Sequence, residues 1–175
     1  STTAIIAVTS GIFLLITGLL IAKPILEALD TPEDVIDLAV LYLRIYSLGM
    51  PFMMIYNFGA AILRSLGDTK RPFYSLVVAG AINVGLNLLL VIEFEMSVAG
   101  VAVATVISNI VNAGIIVFFL THEKGVFRLE LKQLSISKAE LKKILQIGVP
   151  AGIQGMVFSI SNVFVLATIN SFGSA

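Results

Sequence analysis

The chain has 175 residues, of which 58% are hydrophobic and only 13% are charged, and its formal net charge is +0. Its mean hydropathy of +1.02 lies far outside the range of soluble domains, in which about a quarter of the residues are charged. A soluble fold of this size would leave too much apolar surface in water, and a neutral chain has no electrostatic footprint for nucleic acid. Cysteine is absent, which excludes disulfides and thiol chemistry.

Five apolar segments are long enough to cross the hydrocarbon of a bilayer, which takes about 20 residues in a helix. The segments are too long for barrel strands and lack polar alternation. The sequence therefore predicts an all-α fold, a polytopic membrane helix bundle. In chain order the spans cover Thr3 to Ala22, Tyr42 to Leu63, Pro72 to Ile92, Met96 to Thr121, and Ile144 to the last residue.

The connectors between these spans alternate in charge. The first and third are mostly acidic, whereas the second and fourth hold all but two of the 11 Lys and Arg residues. Cytoplasmic loops collect Lys and Arg, so the second and fourth connectors, residues 64–71 and 122–143, are predicted to be cytoplasmic.

The second connector reads "RSLGDTKRP" and predicts a short turn between two antiparallel spans. Gly67 and Asp68 suit a tight turn, and Pro72 suits the first turn of the next helix. The cations, among them Arg64 and Lys70, orient the chain and meet the headgroups of the lipid bilayer.

The fourth connector differs from the others in its pattern of apolar and charged residues. Phe127, Leu129 and Leu131 alternate with charged residues, and Ser137 with Glu140 forms a capping-box pattern. These features predict a basic amphipathic helix at the membrane interface that leads into the fifth span.

The spans carry uncharged polar residues, while Asp, Glu, Lys and Arg are absent from their deep parts. Asn83 and Asn87 lie one helical turn apart on one face of the third span. The fourth span has two polar stripes: Ala102, Thr105 and Asn109 form one, and Gly100, Ala104, Ser108 and Asn112 form the other. Such residues serve either as hydrogen-bonding contacts between helices or, where Asn83 and Asn87 face Thr105, as oxygen ligands for a hard cation or a polar substrate.

Two prolines follow the same pattern, Gly-x-Pro, at Pro51 and Pro150. A proline within a span frees a main-chain carbonyl and permits a kink, so both are candidates for helix bending during gating. The sequence has no metal-ligand cluster, nucleophile–base pair or phosphate loop, which disfavours an enzyme.

Five motifs follow one another along the chain and together cover nearly all of it: "GMPF", "AAILRSLGDTKRPFYS", "NVGLNLLLV", "VAGVAVATVISN" and "ILQIGVPAGIQ". In this order they resemble the motifs of the multidrug and toxic compound extrusion family. The resemblance implies twelve spans in two six-helix lobes that alternate between facing the cytosol and facing outside. It also implies a bacterial inner-membrane antiporter that exports small organic cations in exchange for Na⁺ or H⁺, with no other cofactor.

Within that family pattern the chain divides into three parts. Residues 1–121 correspond to spans three to six of the first lobe, residues 122–143 to the cytoplasmic inter-lobe linker, and residues 144–175 to the first span of the second lobe. The chain opens and closes inside apolar runs, so we expect an internal piece whose partners are the remaining spans of a parent transporter.

The resemblance also assigns site residues. Asn83, Asn87 and Thr105 fall where first-lobe cation or proton sites lie in relatives. The position of Asn87 is often Asp in those relatives, so a protonation role does not transfer to it. Phe158 and Ser159 stand where some sodium-coupled members have a carboxylate, so the chain resembles the damage-inducible bacterial branch more closely. The alternatives are a lipid-linked oligosaccharide flippase of the same superfamily and a non-transporting membrane scaffold.

Overall fold

In the computed structural model, residues 2–28, 33–123, 129 and 135–171 are described, and all regular structure among them is helical. The fold class predicted from the sequence is confirmed in these residues. The helices are α1 (Thr2–Ala28), α2 (Glu33–Leu48), α3 (Met50–Ser65), α4 (Lys70–Leu88), which continues as a π-helical turn (Leu89–Glu93), α5 (Ser97–Thr121) and α6 (Lys138–Ser171).

Four of these elements are long and apolar enough to cross a membrane: α1, α4 with its π-helical turn, α5 and α6. The bent pair of α2 and α3 makes a fifth span if the two are counted together. The 27 residues of α1 reach about 40 Å at 1.5 Å per residue, more than the ~30 Å of hydrocarbon in a bilayer.

The first span is longer than predicted, and the connector after it is mostly helical. Instead of ending at Ala22, α1 passes through Pro24 and ends at Ala28. Lys23 pairs with Glu27 at 3.8 Å, one turn along the same helix. Such a pair lets a helix carry charge beyond its apolar run. Residues 33–41 of the predicted connector form the first turns of α2.

The second span, predicted as one helix from residue 42 to 63, is two helices that meet at a bend of 45°. Gly49 separates them, and Pro51 lies in the first turn of α3. Proline has no N–H to donate to the carbonyl four residues earlier, that of Ser47, so the hydrogen-bond ladder is interrupted there. The main-chain N–H of Met53 donates to the Gly49 carbonyl at 3.0 Å and starts the ladder again.

Glycines on α1 let this helix approach the bend closely. A Cβ atom built at Gly11 would lie 2.5 Å from Cα of Pro51, and one at Gly18 would lie 2.2 Å from Oγ of Ser47. Real Cβ atoms do not come so near to other heavy atoms, so both positions need glycine. Helix pairs inside membranes pack in this way through small residues.

The buried core is a small cluster between α3 and α5. It consists of Ala60, Leu63, Ile116 and Leu120. Most large apolar side chains point outward instead, among them Phe13 at 68% and Leu20 at 73% exposure. An outward-facing apolar surface is the arrangement expected where lipid, rather than water, surrounds the helices.

The chain divides into two compact units, with α1 to α5 in a unit that ends at Ser135 and α6 in a unit that begins at Ile136. α6 begins at Lys138, within the predicted linker of residues 122–143, and continues through Pro150 without a break. The Ser137 hydroxyl accepts a hydrogen bond from the Glu140 N–H at 3.5 Å, which is the first half of the predicted capping box. Apart from Leu129, the alternating pattern at residues 127–132 lies outside the described residues.

Replacing Gly59 by Ala is expected to destabilise the α3–α5 contact, because the new Cβ would lie 2.2 Å from Cγ2 of Ile116. We expect a fall of several °C in the unfolding temperature of detergent-purified protein. Gly114→Ala is the matched control on α5, since a Cβ there meets nothing within 4 Å, and it should leave stability equal or raise it. A Gly59→Ala protein as stable as the control would contradict this packing.

Candidate functional site

Asn83 and Asn87 contact each other on α4, one turn apart. The side-chain amide Nδ2 of Asn87 donates to Oδ1 of Asn83 at 3.0 Å and to the Asn83 main-chain carbonyl at 2.9 Å. Both partners are acceptors, so the nitrogen of the Asn87 amide must face them and its oxygen must face away.

The partner of this pair across the helix interface is Ser108 on α5. Nδ2 of Asn83 donates to the Ser108 hydroxyl at 3.3 Å, and that hydroxyl donates to the main-chain carbonyl of Thr105 at 2.8 Å. Thr105, which the sequence placed opposite the two asparagines, turns its own hydroxyl to the Val101 carbonyl at 2.9 Å. The polar side chain that faces Asn83 in the structure is therefore Ser108, and not Thr105 as the sequence predicted.

The helical register explains this difference. Ser108 belongs to the stripe Gly100, Ala104, Ser108 and Asn112, and all four residues are buried. Thr105 lies on the neighbouring stripe. It follows Ala104 of the buried stripe by one residue, which rotates its side chain by about 100° around the helix axis. A threonine inside a helix commonly donates to the carbonyl four residues earlier, which occupies its hydroxyl.

One acceptor in this network is left open. Oδ1 of Asn87 is buried and has no hydrogen-bond partner among the residues that the structure describes. Leaving a buried carbonyl unpaired costs about 1–3 kcal/mol, so this atom is the natural position for a ligand donor or a cation. We therefore centre the candidate site on Asn87, with Asn83 and Ser108 holding it in place.

A second polar contact lies toward the α3–α4 turn. The Ser75 hydroxyl on α4 donates to the side-chain carbonyl of Asn112 on α5, and both residues are buried. Sequence reasoning missed Ser75, although Ser75, Ala79, Asn83 and Asn87 recur every four residues and so share one face of α4. This face, opposite the buried stripe of α5, carries the hydrogen bonds that join the two helices.

The α3–α4 turn is built as the sequence predicted, with one addition. Gly67 has a φ of +81°, a conformation that favours glycine. Oδ1 of Asp68 accepts hydrogen bonds from the main-chain N–H groups of Lys70 at 3.0 Å and Arg71 at 3.1 Å, which caps α4. Nε of Arg64 donates to the Ala60 carbonyl at 3.2 Å.

The addition is the ion pairing of Arg71, which the sequence identifies only as one of the three cations of this turn. Its guanidinium contacts the Asp68 carboxylate through Nε and the Glu123 carboxylate through Nη1, the latter at 2.6 Å. The N–H of Arg71 and then its side chain hold the pKa of Asp68 below its usual value. No sequence spacing could reveal the contact with Glu123, because the two residues are 52 positions apart.

An apolar cavity of about 280 Å³ lies between α1, α3 and α5. Among the described lining residues, Thr9 is the one that bears a hydroxyl, and that hydroxyl donates to the Ile5 carbonyl of its own helix at 2.8 Å. None of these described residues offers a polar group that would orient a ligand. The cavity also lies apart from the candidate site, since Val117 in its lining is about two and a half turns along α5 from Ser108.

These span-length helices, joined by buried polar contacts, define a polytopic α-helical membrane protein. The MatE family model matches residues 1–89, which is half of the chain. The chain therefore belongs to the MatE family.

Curated relatives and solved structures agree with this membership. The chain is 33% identical over 171 residues to the "Probable multidrug resistance protein YoeA" of Bacillus subtilis, matching 94% of this chain and 37% of that protein. It is 21% identical over 164 residues to the "Multidrug export protein MepA" of Staphylococcus aureus. A structure titled "Crystal structure of MATE in the bent conformation" superposes with a TM-score of 0.84 at 26% identity, over 92% of this chain and 36% of the other.

A further structure, titled "Crystal structure of MATE in complex with MaD3S", superposes with a TM-score of 0.83 over 93% of this chain. The chain spans a little over a third of the length of these relatives.

The asymmetry of the candidate site predicts unequal costs for two similar substitutions. Asn83→Leu should lower the free energy of unfolding by about 1–2 kcal/mol, because it removes the side-chain bonds to Asn87 and Ser108 while the main-chain acceptor for Asn87 remains. Asn87→Leu should cost less, because it also removes the unpaired carbonyl. Unfolding of the two variants by SDS titration in detergent would measure this. A larger loss for Asn87→Leu would contradict the assignment of the open acceptor.

The Asp68 cap predicts a pH-dependent contribution to stability. The folded pKa is lowered, so the contribution is fully present above the ordinary value of about 3.9 and is lost as the pH falls through the lowered pKa. Asp68→Asn should therefore lower the unfolding temperature at pH 7, and its deficit relative to wild type should shrink progressively as the pH falls below about 3.9. Lys70→Gln, which removes an exposed charge from the same turn, is the control. An Asp68→Asn deficit that stays constant with pH would refute the role of the charge.

Proposed function

We propose that this chain is part of a cation-coupled multidrug efflux antiporter, in which it supplies the coupling site of one lobe. The observation that carries the proposal is the buried, unpaired Oδ1 of Asn87 at the end of a hydrogen-bonded network. Membership of the MatE family supports transport, and the names of the curated relatives support multidrug export.

The chemistry of the site favours a cation as its ligand. The open group is a carbonyl oxygen, which accepts hydrogen bonds and coordinates hard cations but donates nothing. A Na⁺ ion would use the Asn87 oxygen directly. Coupling to H⁺ would need a titratable group, and the amide of Asn87 does not titrate. A carboxylate from the remaining spans of the transporter would then have to bind the proton.

Neutral oxygens alone bind a cation weakly, so a negative charge is required in either case. The helices α4 and α5, which are fully described, contain no carboxylate; those nearest to their ends along the chain are Asp68, Glu93, Glu95 and Glu123. We therefore propose that a residue outside this chain completes the site, and that exported substrates, small organic cations, compete with the coupling ion for it during alternating access.

The two alternative functions explain fewer of the contacts. A flippase for lipid-linked oligosaccharides would need cations inside the membrane to meet pyrophosphate, whereas Arg71 lies in the first turn of α4 and is paired with carboxylates. A scaffold would turn its polar stripes toward a partner protein. Ser75, Asn83, Ser108 and Asn112 instead bond to one another across α4 and α5.

Ethidium efflux tests the proposal in the full-length transporter, expressed in bacteria that lack their own pumps. We expect Asn87→Leu to reduce efflux at least tenfold and to weaken its dependence on the sodium or proton gradient. Thr105→Val is the matched control, because the Thr105 hydroxyl is bound within its own helix, and it should retain most of the activity.

Efflux assays under sodium and proton gradients in turn would identify the coupling ion. Unchanged efflux and unchanged ion dependence in the Asn83→Leu/Asn87→Leu double variant, at equal expression, would disprove the site.

A further inference from the structure

Three polar contacts join α4 to α5 at successive depths. The first is the ion pair between Arg71 and Glu123, the second joins Ser75 and Asn112, and the third joins Asn83 and Ser108. The candidate site does not explain the first contact, because this contact lies at the α3–α4 turn and joins it to Glu123, just beyond the end of α5.

The geometry around Arg71 is that of a bridging residue. Its Nε contacts Asp68 and its Nη1 contacts Glu123, so one planar guanidinium spans two carboxylates. The guanidinium carbon also lies 5.8 Å from the centre of the Phe119 ring on α5, within range of a cation–π interaction. The Arg71 side chain is 35% exposed and each carboxylate side chain 20%, so the group is partly shielded from water.

Each of these contacts alone would contribute little, as partly exposed ion pairs usually do. Because these contacts all lie at the ends of α4 and α5, together they can restrict the movement of one helix relative to the other. Asp68 caps the start of α4, and Glu123 follows the end of α5, so Arg71 fixes the end of one helix against the end of the other. Sliding or parting of the two helices would break this bridge together with the buried Ser75–Asn112 and Asn83–Ser108 contacts.

We infer that Asp68, Arg71 and Glu123 form a clasp that makes α4 and α5 a single rigid element, and that this clasp stays closed while the protein changes between its transport states. Arg71 is then a positioning residue, which keeps Asn83 aligned with Ser108 from the end of the helix pair. The link to transport states rests on the proposed function, whereas the rigidity of the pair does not.

The competing explanation is that Arg71 supplies only positive charge to orient the chain in the membrane. Arg71→Lys separates the two explanations, because lysine keeps the charge but has no planar fork with which to hold both carboxylates at once. Lys70→Gln is the matched control, since it removes a neighbouring exposed cation and leaves the clasp intact.

The first test is a double-mutant cycle in the full-length transporter, purified in detergent. Arg71→Gln and Glu123→Gln should each lower the unfolding temperature by a few °C, and the double variant should be no less stable than Arg71→Gln alone. Arg71→Lys should lose most of the same stability, and Lys70→Gln none. Additive losses in the double variant, or a wild-type unfolding temperature for Arg71→Lys, would overturn the clasp.

The second test measures rigidity directly, with spin labels at Leu76→Cys on α4 and Gly114→Cys on α5. Both positions are exposed, and the chain has no cysteine of its own. We expect one narrow distance distribution, the same with and without ethidium, and a broader one in Arg71→Lys. A label pair at Gly114→Cys and Ile147→Cys, which joins the two units, reports whether the protein has changed state.

A distance between α4 and α5 that shifts with ethidium, or an Arg71→Lys distribution as narrow as wild type, would refute the rigid element. This measurement needs no efflux, so its failure is distinguishable from failure of the proposed transport function.

Discussion

The pairing of amide and hydroxyl groups between α4 and α5 is the interaction on which the rest of this unit depends. Inside a bilayer, water is not present to satisfy a polar side chain, so each such group must find a partner in the protein. Ser75, Asn83, Ser108 and Asn112 do so across one interface. These bonds fix the register of α4 against α5, and with it the position of Asn87 relative to α5.

The bend between α2 and α3 follows a different physical rule from the α4–α5 pair. Here the main chain lacks a hydrogen-bond donor at Pro51, and α1 packs closely against this part of the chain. Gly11 and Gly18 bring its backbone against the bend, so the interrupted helix is covered by close packing. One side of the unit is thus held by polar bonds in register, and the other by small residues around a break in the helical ladder.

The sequence was sufficient to predict what depends on hydrophobic length and on local spacing. The spans, the turn at Gly67 and Asp68, and the one-turn spacing of Asn83 and Asn87 all follow from patterns within about 20 residues. The contacts that span a longer stretch of chain were not predictable in this way. Ser108 rather than Thr105 faces Asn83 because of the rotation of α5 about its axis, and a stripe pattern alone leaves that rotation open.

The same limit applies to the bend and to the turn. Pro51 indicated a kink, but whether the ladder restarts as the same helix or a new one depends on the helices packed against it. The role of Arg71 could not be predicted from the sequence, because a count of charges does not distinguish it from the other two cations of the same short turn. Only the position of Glu123, brought close by the antiparallel return of α5, distinguishes Arg71 from Lys70 and Arg64.

The polar contacts between α4 and α5 differ along the helix pair: the ionic groups at the turn are paired, whereas one buried acceptor deeper in the interface is not. At the turn, the charge of Arg71 is paired with the carboxylates of Asp68 and Glu123. Deeper along the same face, the direction of donation runs from Asn87 to Asn83 to Ser108 to the Thr105 carbonyl. Among the described residues, Oδ1 of Asn87 is the buried side-chain atom that this network leaves without a partner. A carbonyl oxygen in that position can accept a hydrogen bond or coordinate a cation, but it cannot donate. This open acceptor is the reason why we propose a hydrogen-bond donor or a cation, rather than an acceptor, as the group that completes the candidate site.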